Sequence, residues 1–558
     1  MGRVNWLIVA ASVVATALVA CSDSKAAETE TVLGHVSEEA VPVTPIVRVA
    51  QGDVQGVSEG DVNVFRGIPF AAPPKGDLRW APPIAPAEWD GVLDASEFGP
   101  SCIQPPVPPT SVYHDPPRSS SEDCLSLNIW APAKAEDAPV ILWIHGGSLR
   151  IGGAAQPVYD ATAYAERGAV FVSVNYRLGV LGWVAHPDLM AESADGLSGN
   201  YGLMDQIAAL EWVRDNISRF GGDPSNVTIM GESAGALSVT YLLASPKAAG
   251  LFHKAIIQST NTRNFEELGQ ASYDLPAAET TGAQLFEKLG YKTLAEARAA
   301  DPQYITNRTT LAGYAPAGTI DGVYVPRQLN DAFDDGEFAH APVLAGFTSG
   351  EARTYRRLLP KRPDTAEAYE EAIRARYGEQ SDDFLALYPA DDMEESMLAV
   401  NRDNVFGWST ERVVRSASAA GQPAYLYVFD HCYPAMEERQ LCAFHASEVP
   451  FVFGTTGQAD SYPPQWPRPD ADAAKGLSAV LVDYWSSFAA TGHPSSANGP
   501  DWRPYSEGEA YLHIGDEPEL RHDPYPGMFE FHEQLYQARR DAGEGWFLRV
   551  GLGADPIE

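Results

Sequence analysis

Short apolar runs with little polar alternation recur through the middle of the chain: "PVILWI" (139–144), "AVFVSV" (169–174), "VTIM" (227–230), "KAIIQ" (254–258), "APVLA" (341–345) and "AYLYVF" (424–429). Runs of this length, apolar on both faces, read as buried strands. Most are separated by segments of helical spacing, such as Leu203, Ile207, Leu210, Val213 and Ile217 on one helical face. Strands alternating with helices predict a parallel sheet covered on both sides, an α/β architecture. Earlier, "IVRVAQGDVQGVSEGDVNVFRGIPF" alternates apolar and polar positions around Gly and Asp, which predicts a hairpin. The stretch from about 355 to 420 is charged and helical in pattern, and is expected to be an insertion above the sheet. No internal repeat or Gly/Ser linker divides residues 46–550, so they are expected to form one domain, with 551–558 as a tail.

The first residues follow a different pattern. Arg3 precedes an apolar run from Trp6 to Ala20, too short and too weakly flanked for a spanning helix, and the segment reads as an export signal. It ends in "LVAC" (Leu18–Cys21), which resembles a bacterial lipobox. Two processing routes follow: lipidation at Cys21, giving a cell-envelope lipoprotein with Ser22 leaning towards the outer membrane, or cleavage after Ala15-Thr16-Ala17 and secretion. Residues 22–45 are small, acidic and polar and suit a flexible tether. The membrane is thus expected to be met only through that lipid.

Composition narrows the function. Acidic residues outnumber basic ones 75 to 39, a net charge of −36. That repels phosphate and argues against a nucleic-acid partner. Besides Cys21 the chain has Cys102, Cys124, Cys432 and Cys442, and pairing by proximity gives Cys102–Cys124 and Cys432–Cys442, as an oxidising compartment permits. No C-x-x-C spacing is present and no metal site is expected.

Two stretches fit G-x-S-x-G, a pattern in which a nucleophilic serine sits on a sharp turn from strand to helix. In "GVSEG" (56–60), Ser58 lies in the predicted hairpin and is followed by a strand. In "GESAG" (231–235), "NVTIM" precedes as a strand and "ALSVTYLLA" follows as a helix. Ser233 is therefore the candidate. A serine hydroxyl needs a base, a group to orient that base and donors for the developing oxyanion. Eight histidines follow Ser233, and composition does not choose among them.

Several blocks together resemble the type-B carboxylesterases, the α/β-hydrolase family that also contains the cholinesterases. They are "FGGDPSNVTIMGESAG" (220–235), "EDCLSLNIW" (122–130), "NYRLGVLGW" (175–183), "GNYGLMDQIAALEWV" (199–213) and "HGGS" (145–148). The resemblance implies an α/β-hydrolase fold with a mostly parallel central sheet, helices on both faces and helical insertions forming a cap. It implies Ser233 as nucleophile, Glu351 in "GFTSGEART" as the acid and His445 in "FHASEVPFVFG" as the base. Ala352 stands where the family usually has Gly. The amides of Gly147, Ser148 and Ala234 correspond to the oxyanion hole, with Gly146 and Glu232 in support. The family pairs Cys102 with Cys124 and does not speak for Cys432–Cys442. The implied activity is hydrolysis of a small-molecule carboxylic ester through an acyl-enzyme, with no cofactor.

Specificity is less defined. The loop 102–124 has no Trp, only Tyr113, so choline esters are not expected, since a quaternary ammonium needs an aromatic face. Small to medium uncharged or anionic esters are expected instead. Leu149 replaces the usual aromatic, and Ser148 adds a hydroxyl that either donates or narrows the pocket. Arg263, in a segment where the family often has Gly, is either a surface residue or a partner for an anionic acyl group. The rival readings are an inactive adhesion protein on the same scaffold, and a lipase or amidase with the same triad.

Overall fold

The structure, a computed structural model, describes residues 46–556. The expectations for the export segment, Cys21 and the tether fall outside the described residues.

An eleven-stranded sheet organises the chain. Seven neighbouring strands are parallel, in the spatial order Ala510–Ile514, Ala424–Phe429, Val343–Thr348, Lys254–Gln258, Gly222–Glu232, Ala138–Ile144 and Val170–Val174. Antiparallel strands flank them: Pro518–His522 at one edge, and Ser126–Pro132, Val62–Pro69 and Val57–Glu59 at the other. The apolar runs became strands because their residues are buried on both faces. Val140, Leu142 and Ile144 join one core with the helix Ala234–Ala244. Ile141 and Trp143 join the other, with Leu481, Trp485 and Phe488 of the helix Ala471–Thr491.

The strand order reverses beside Ala138–Ile144. From there the chain first crosses to Val170–Val174 on one side and later returns to Gly222–Glu232 on the other. Such a reversal leaves a crevice beyond the carboxyl ends of the two diverging strands, where ligands bind in open α/β sheets. One of those ends carries Gly146–Ser148 and the other Ser233.

Three expectations need correction. The first hairpin is two: Val47–Val49 pairs with Gly52–Gln55 in a separate small sheet, whereas Val57–Glu59 pairs with Val62–Pro69 in the large one. The break falls at Gly56, where a Cβ would lie 2.1 Å from the Val64 carbonyl oxygen. The segment 355–420 is not all insertion. Its last helix, Trp408–Ala419, is a crossover whose Val413, Val414 and Ala417 pack into the core beneath Val343–Thr348. Nor do residues 551–556 stand free of the domain, since the Gly551 amide donates to the Tyr377 hydroxyl at 2.7 Å and Ala554 is buried.

Both cysteine pairs are disulfides. Cys102–Cys124 closes the Pro-rich loop that carries Tyr113. Cys432–Cys442 ends three residues before His445.

Candidate active site

The strand Gly222–Glu232 runs directly into the helix Ala234–Ala244 with one residue between them, Ser233, at φ 56° and ψ −118°. That left-handed backbone costs a non-glycine residue about 1–3 kcal/mol, and close packing enforces it. A Cβ on Gly231 would lie 2.4 Å from the Gly235 carbonyl carbon, and one on Gly235 2.0 Å from the Ile144 carbonyl oxygen. Strand and helix can therefore approach only with glycine at both positions. The Ser233 amide donates to the Gln258 carbonyl at 2.8 Å, fixing the turn to the next strand. Ser58, by contrast, lies within a strand opposite Asn63, to whose Oδ1 it donates at 2.9 Å.

The other two predicted residues converge on Ser233. His445 Nε2 is 2.8 Å from Ser233 Oγ, and Nδ1 bonds to Glu351 Oε2. The loops carrying them are stitched together, since the Gly350 amide donates to the Ala443 carbonyl at 3.0 Å. Ala352 does not disturb this. It is buried in the short helix Glu351–Leu358 while the carboxylate still reaches the imidazole. Glu351 Oε1 accepts from Ser259 Oγ at 2.6 Å and from the Thr348 amide at 2.9 Å, so both its oxygens are fixed.

Glu232 and Glu448 add buried carboxylates to the same cluster. Glu232 Oε1 lies 3.2 Å from His445 Nε2. Glu448 Oε1 accepts from Gln258 Nε2 at 3.1 Å. Burial raises the pKa of Glu232 to about 8 and of Glu448 to about 7. For His445, burial disfavours the charged ring, but the surrounding carboxylates, Glu351 and Glu232 foremost, override it and raise its pKa to about 9. The cluster thus favours the imidazolium.

The Gly-rich loop crosses directly over the nucleophile, and a Cβ on Gly146 would sit 3.2 Å from Ser233 Cβ. Gly147 has φ +107°, and its carbonyl accepts from the amides of Arg150 and Ile151, each at 3.0 Å. Ala234 opens its helix, so its amide has no acceptor within that helix. Ser148 is exposed, and Leu149 is buried in the core. His145, just before the loop, is buried and stacks on Tyr176, and burial lowers its pKa to about 4, keeping it neutral.

Sequence reasoning missed the residues that brace the triad. Ser259 directly follows "KAIIQ", so its place at the carboxyl end of a neighbouring strand was a usable signal. Tyr113 donates to the His445 carbonyl at 2.9 Å and so braces the base. Phe406 and Tyr355, with ring centroids 4.8 and 5.8 Å from that of His445, wall the imidazole. Only the fold brings these two near it.

The carboxylesterase family model matches residues 43–532. The chain is 37% identical to fumonisin B1 esterase of Sphingopyxis macrogoltabida over 475 residues, covering 82% of this chain and 84% of that protein. It is 35% identical to para-nitrobenzyl esterase of Bacillus subtilis (strain 168), covering 83% and 93%. Among solved structures, a carboxylesterase of Geobacillus stearothermophilus superposes with a TM-score of 0.75 at 31% identity, covering 87% of this chain and 99% of that one. The chain belongs to the carboxylesterase family and is a serine hydrolase of carboxylic esters.

Proposed function

We propose that Ser233 is the nucleophile, His445 the general base and Glu351 the residue that orients it. Ser233 Oγ attacks the ester carbonyl carbon as His445 Nε2 takes its proton. The ester C–O bond breaks, and the alcohol leaves with that proton. Water then attacks the acyl-Ser233 carbonyl carbon, giving one proton to His445, which passes it to Ser233 Oγ as the acyl C–Oγ bond breaks and the acid leaves. Glu351 holds the tautomer with Nδ1–H and stabilises the imidazolium. The amides of Gly147, Ser148 and Ala234 are proposed to hold the oxyanion, with Gly146 allowing the loop its close approach. Each such donor is worth about 3 kcal/mol in the transition state.

The carrying observation is the 2.8 Å separation of Ser233 Oγ and His445 Nε2, with Glu351 on the far ring nitrogen. The test is labelling by a fluorophosphonate together with hydrolysis of 4-nitrophenyl esters. Wild type reacts in both assays and Ser233→Ala in neither. Wild-type protein that folds but resists the probe overturns the assignment.

The substrates proposed are small to medium carboxylic esters, with choline esters outside the range. The Tyr113 hydroxyl bonds to Thr354 and to the His445 carbonyl, and its ring packs near Phe444 and Trp466. This leaves it a poor platform for a quaternary ammonium. Export with a lipid on Cys21 is proposed from "LVAC" and the apolar run before it. Incorporation of labelled palmitate, lost in Cys21→Ala, tests it, and unlabelled wild type refutes it.

A further inference from the structure

A cavity of about 1060 Å³ lies between the segment after the strand Lys254–Gln258, the turn at Tyr314 and the C-terminal segment near Phe547. None of Ser233, Glu351 and His445 lines it, yet two of its supports spring from elements that build the catalytic centre. Arg263 in its wall lies five residues beyond Gln258, whose carbonyl holds the Ser233 amide. Arg150, two residues beyond Ser148, donates to the carbonyl of the lining residue Tyr314 at 3.1 Å.

Three guanidiniums and four carboxylates line the cavity, and they are unevenly paired. Arg539 is paired with Glu544 at 3.2 Å and Arg549 with Asp555 at 3.5 Å. Glu266 accepts from Thr281 Oγ1 at 2.7 Å, and burial pushes its pKa up. Asp274 is exposed. Arg263 has none of this compensation. Its guanidinium lies 5.1 Å from the Phe265 ring centroid, and its polar contact is a long one, 3.5 Å to Asn261 Oδ1. Among the described residues no carboxylate lies within 4.0 Å of it. Burial pulls its pKa down, a sign that the ring of charge is being desolvated. Arg150 likewise has a buried Nε without a hydrogen-bond partner. Arg263 is half-buried, and a partly desolvated guanidinium without a counter-ion is destabilising. In a chain with 75 acidic residues against 39 basic ones, carboxylates to pair it are plentiful, and four line the same cavity, yet none comes within ion-pair distance of it. That is the arrangement of a site whose counter-ion arrives with a ligand.

The position selects the part of the substrate. The imidazole hands its proton to the leaving alcohol, so the alcohol lies on the His445 side. That side is walled by Tyr355 and Phe406, and neither lines the cavity. The acyl group lies away from it, along the oxyanion loop from which Arg150 reaches Tyr314.

We infer that this cavity receives the acyl portion of the ester and that Arg263 binds a free carboxylate on it, making partial esters of dicarboxylic or polycarboxylic acids the preferred substrates. This rests on the serine-esterase reading and deepens it. The reaction is unchanged: water adds across the ester C–O bond, giving acid and alcohol. The protein's overall charge of −36 works against an anionic substrate, so a preference for one requires a local cation.

The test compares 4-nitrophenyl hydrogen glutarate with 4-nitrophenyl pentanoate, of equal chain length and differing in the terminal carboxylate. In wild type, kcat/KM favours the glutarate by at least about tenfold, the scale of a hydrogen bond to a charged group. Arg263→Met lowers that ratio by about tenfold or more, and Arg263→Lys falls between. Taking the ratio within each variant cancels partial misfolding, and Arg263→Gln replaces a variant that fails to fold. A wild-type ratio at or below one, or a ratio unmoved by Arg263→Met, overturns the inference while pentanoate hydrolysis leaves the esterase reading standing. Hydrolysis of neither ester, with Ser233 unlabelled, removes both. A third ester, 4-carboxyphenyl butyrate, carries its charge on the alcohol. Loss confined to that ester overturns the acyl-side placement.

Discussion

Ser259 Oγ donates to Glu351 Oε1 at 2.6 Å across 92 residues of sequence, leaving Oε2 to His445. The serine touches the acid and not the nucleophile, so it acts by holding the carboxylate in line with the imidazole. A hydrogen bond to a charged group is worth about 1.5–3 kcal/mol. Ser259→Ala is therefore expected to lower kcat by about tenfold or more on a 4-nitrophenyl ester, with KM little changed. Steady-state kinetics checks this, and a change confined to KM contradicts it.

The carboxylate cluster predicts an unusual pH profile. Activity needs neutral His445, and its pKa is raised from 6.5 to about 9, as the carboxylates outweigh burial. The acid limb of kcat/KM is thus expected above the ordinary imidazole range. Glu232→Gln removes a carboxyl group 3.2 Å from Nε2 whose ionised form, gained as the pH rises through its own pKa of about 8, favours the imidazolium. The imidazolium is then less favoured, so His445 loses its proton at lower pH and the limb moves down by about one unit or more. A limb that stays in place excludes Glu232 as a source of the shift.

Much of this architecture was readable in the residues. "KAIIQ" and "AYLYVF" became strands with the boundaries their runs suggested, because every residue of both is buried, Lys254 and Gln258 included. The elbow was readable because the steric need for glycine at 231 and 235 is local. The strand Gly222–Glu232 began earlier than "VTIM" because Gly222 already pairs with Ala138, before an irregularity that runs to Val227. Glu351 and His445 were assigned by family likeness, not by local pattern. Tyr113 and Phe406 act through contacts between distant segments, for which one sequence carries no local signal. Arg263 was ambiguous until its surroundings decided between a surface arginine and one facing a cavity.

The oxyanion loop gives a steric prediction. Gly147 has φ +107°, and a Cβ there would lie 2.1 Å from the Ile151 carbonyl oxygen. Gly147→Ala must open the turn closed by Arg150 and Ile151 and displace the neighbouring amides from the serine. Loss of one such donor costs about 10²–10³ in kcat. A fall of about a hundredfold is expected, in protein whose far-UV circular dichroism is unchanged. Near-wild-type kcat excludes this loop from charge stabilisation.

The disulfide Cys102–Cys124 links residues 22 apart and encloses Tyr113, whose hydroxyl bonds to the His445 carbonyl. Closing a loop of this length restricts the unfolded chain by about 3 kcal/mol. Because the loop also braces the base, its opening should do more than lower stability. Cys102→Ala/Cys124→Ala is expected to unfold at lower temperature and, well below that temperature, to retain a reduced kcat. Tyr113→Phe, with the disulfide intact, separates the two effects: it should lower kcat with a smaller change in Tm. If the double variant loses only Tm and Tyr113→Phe leaves kcat intact, the loop serves stability alone.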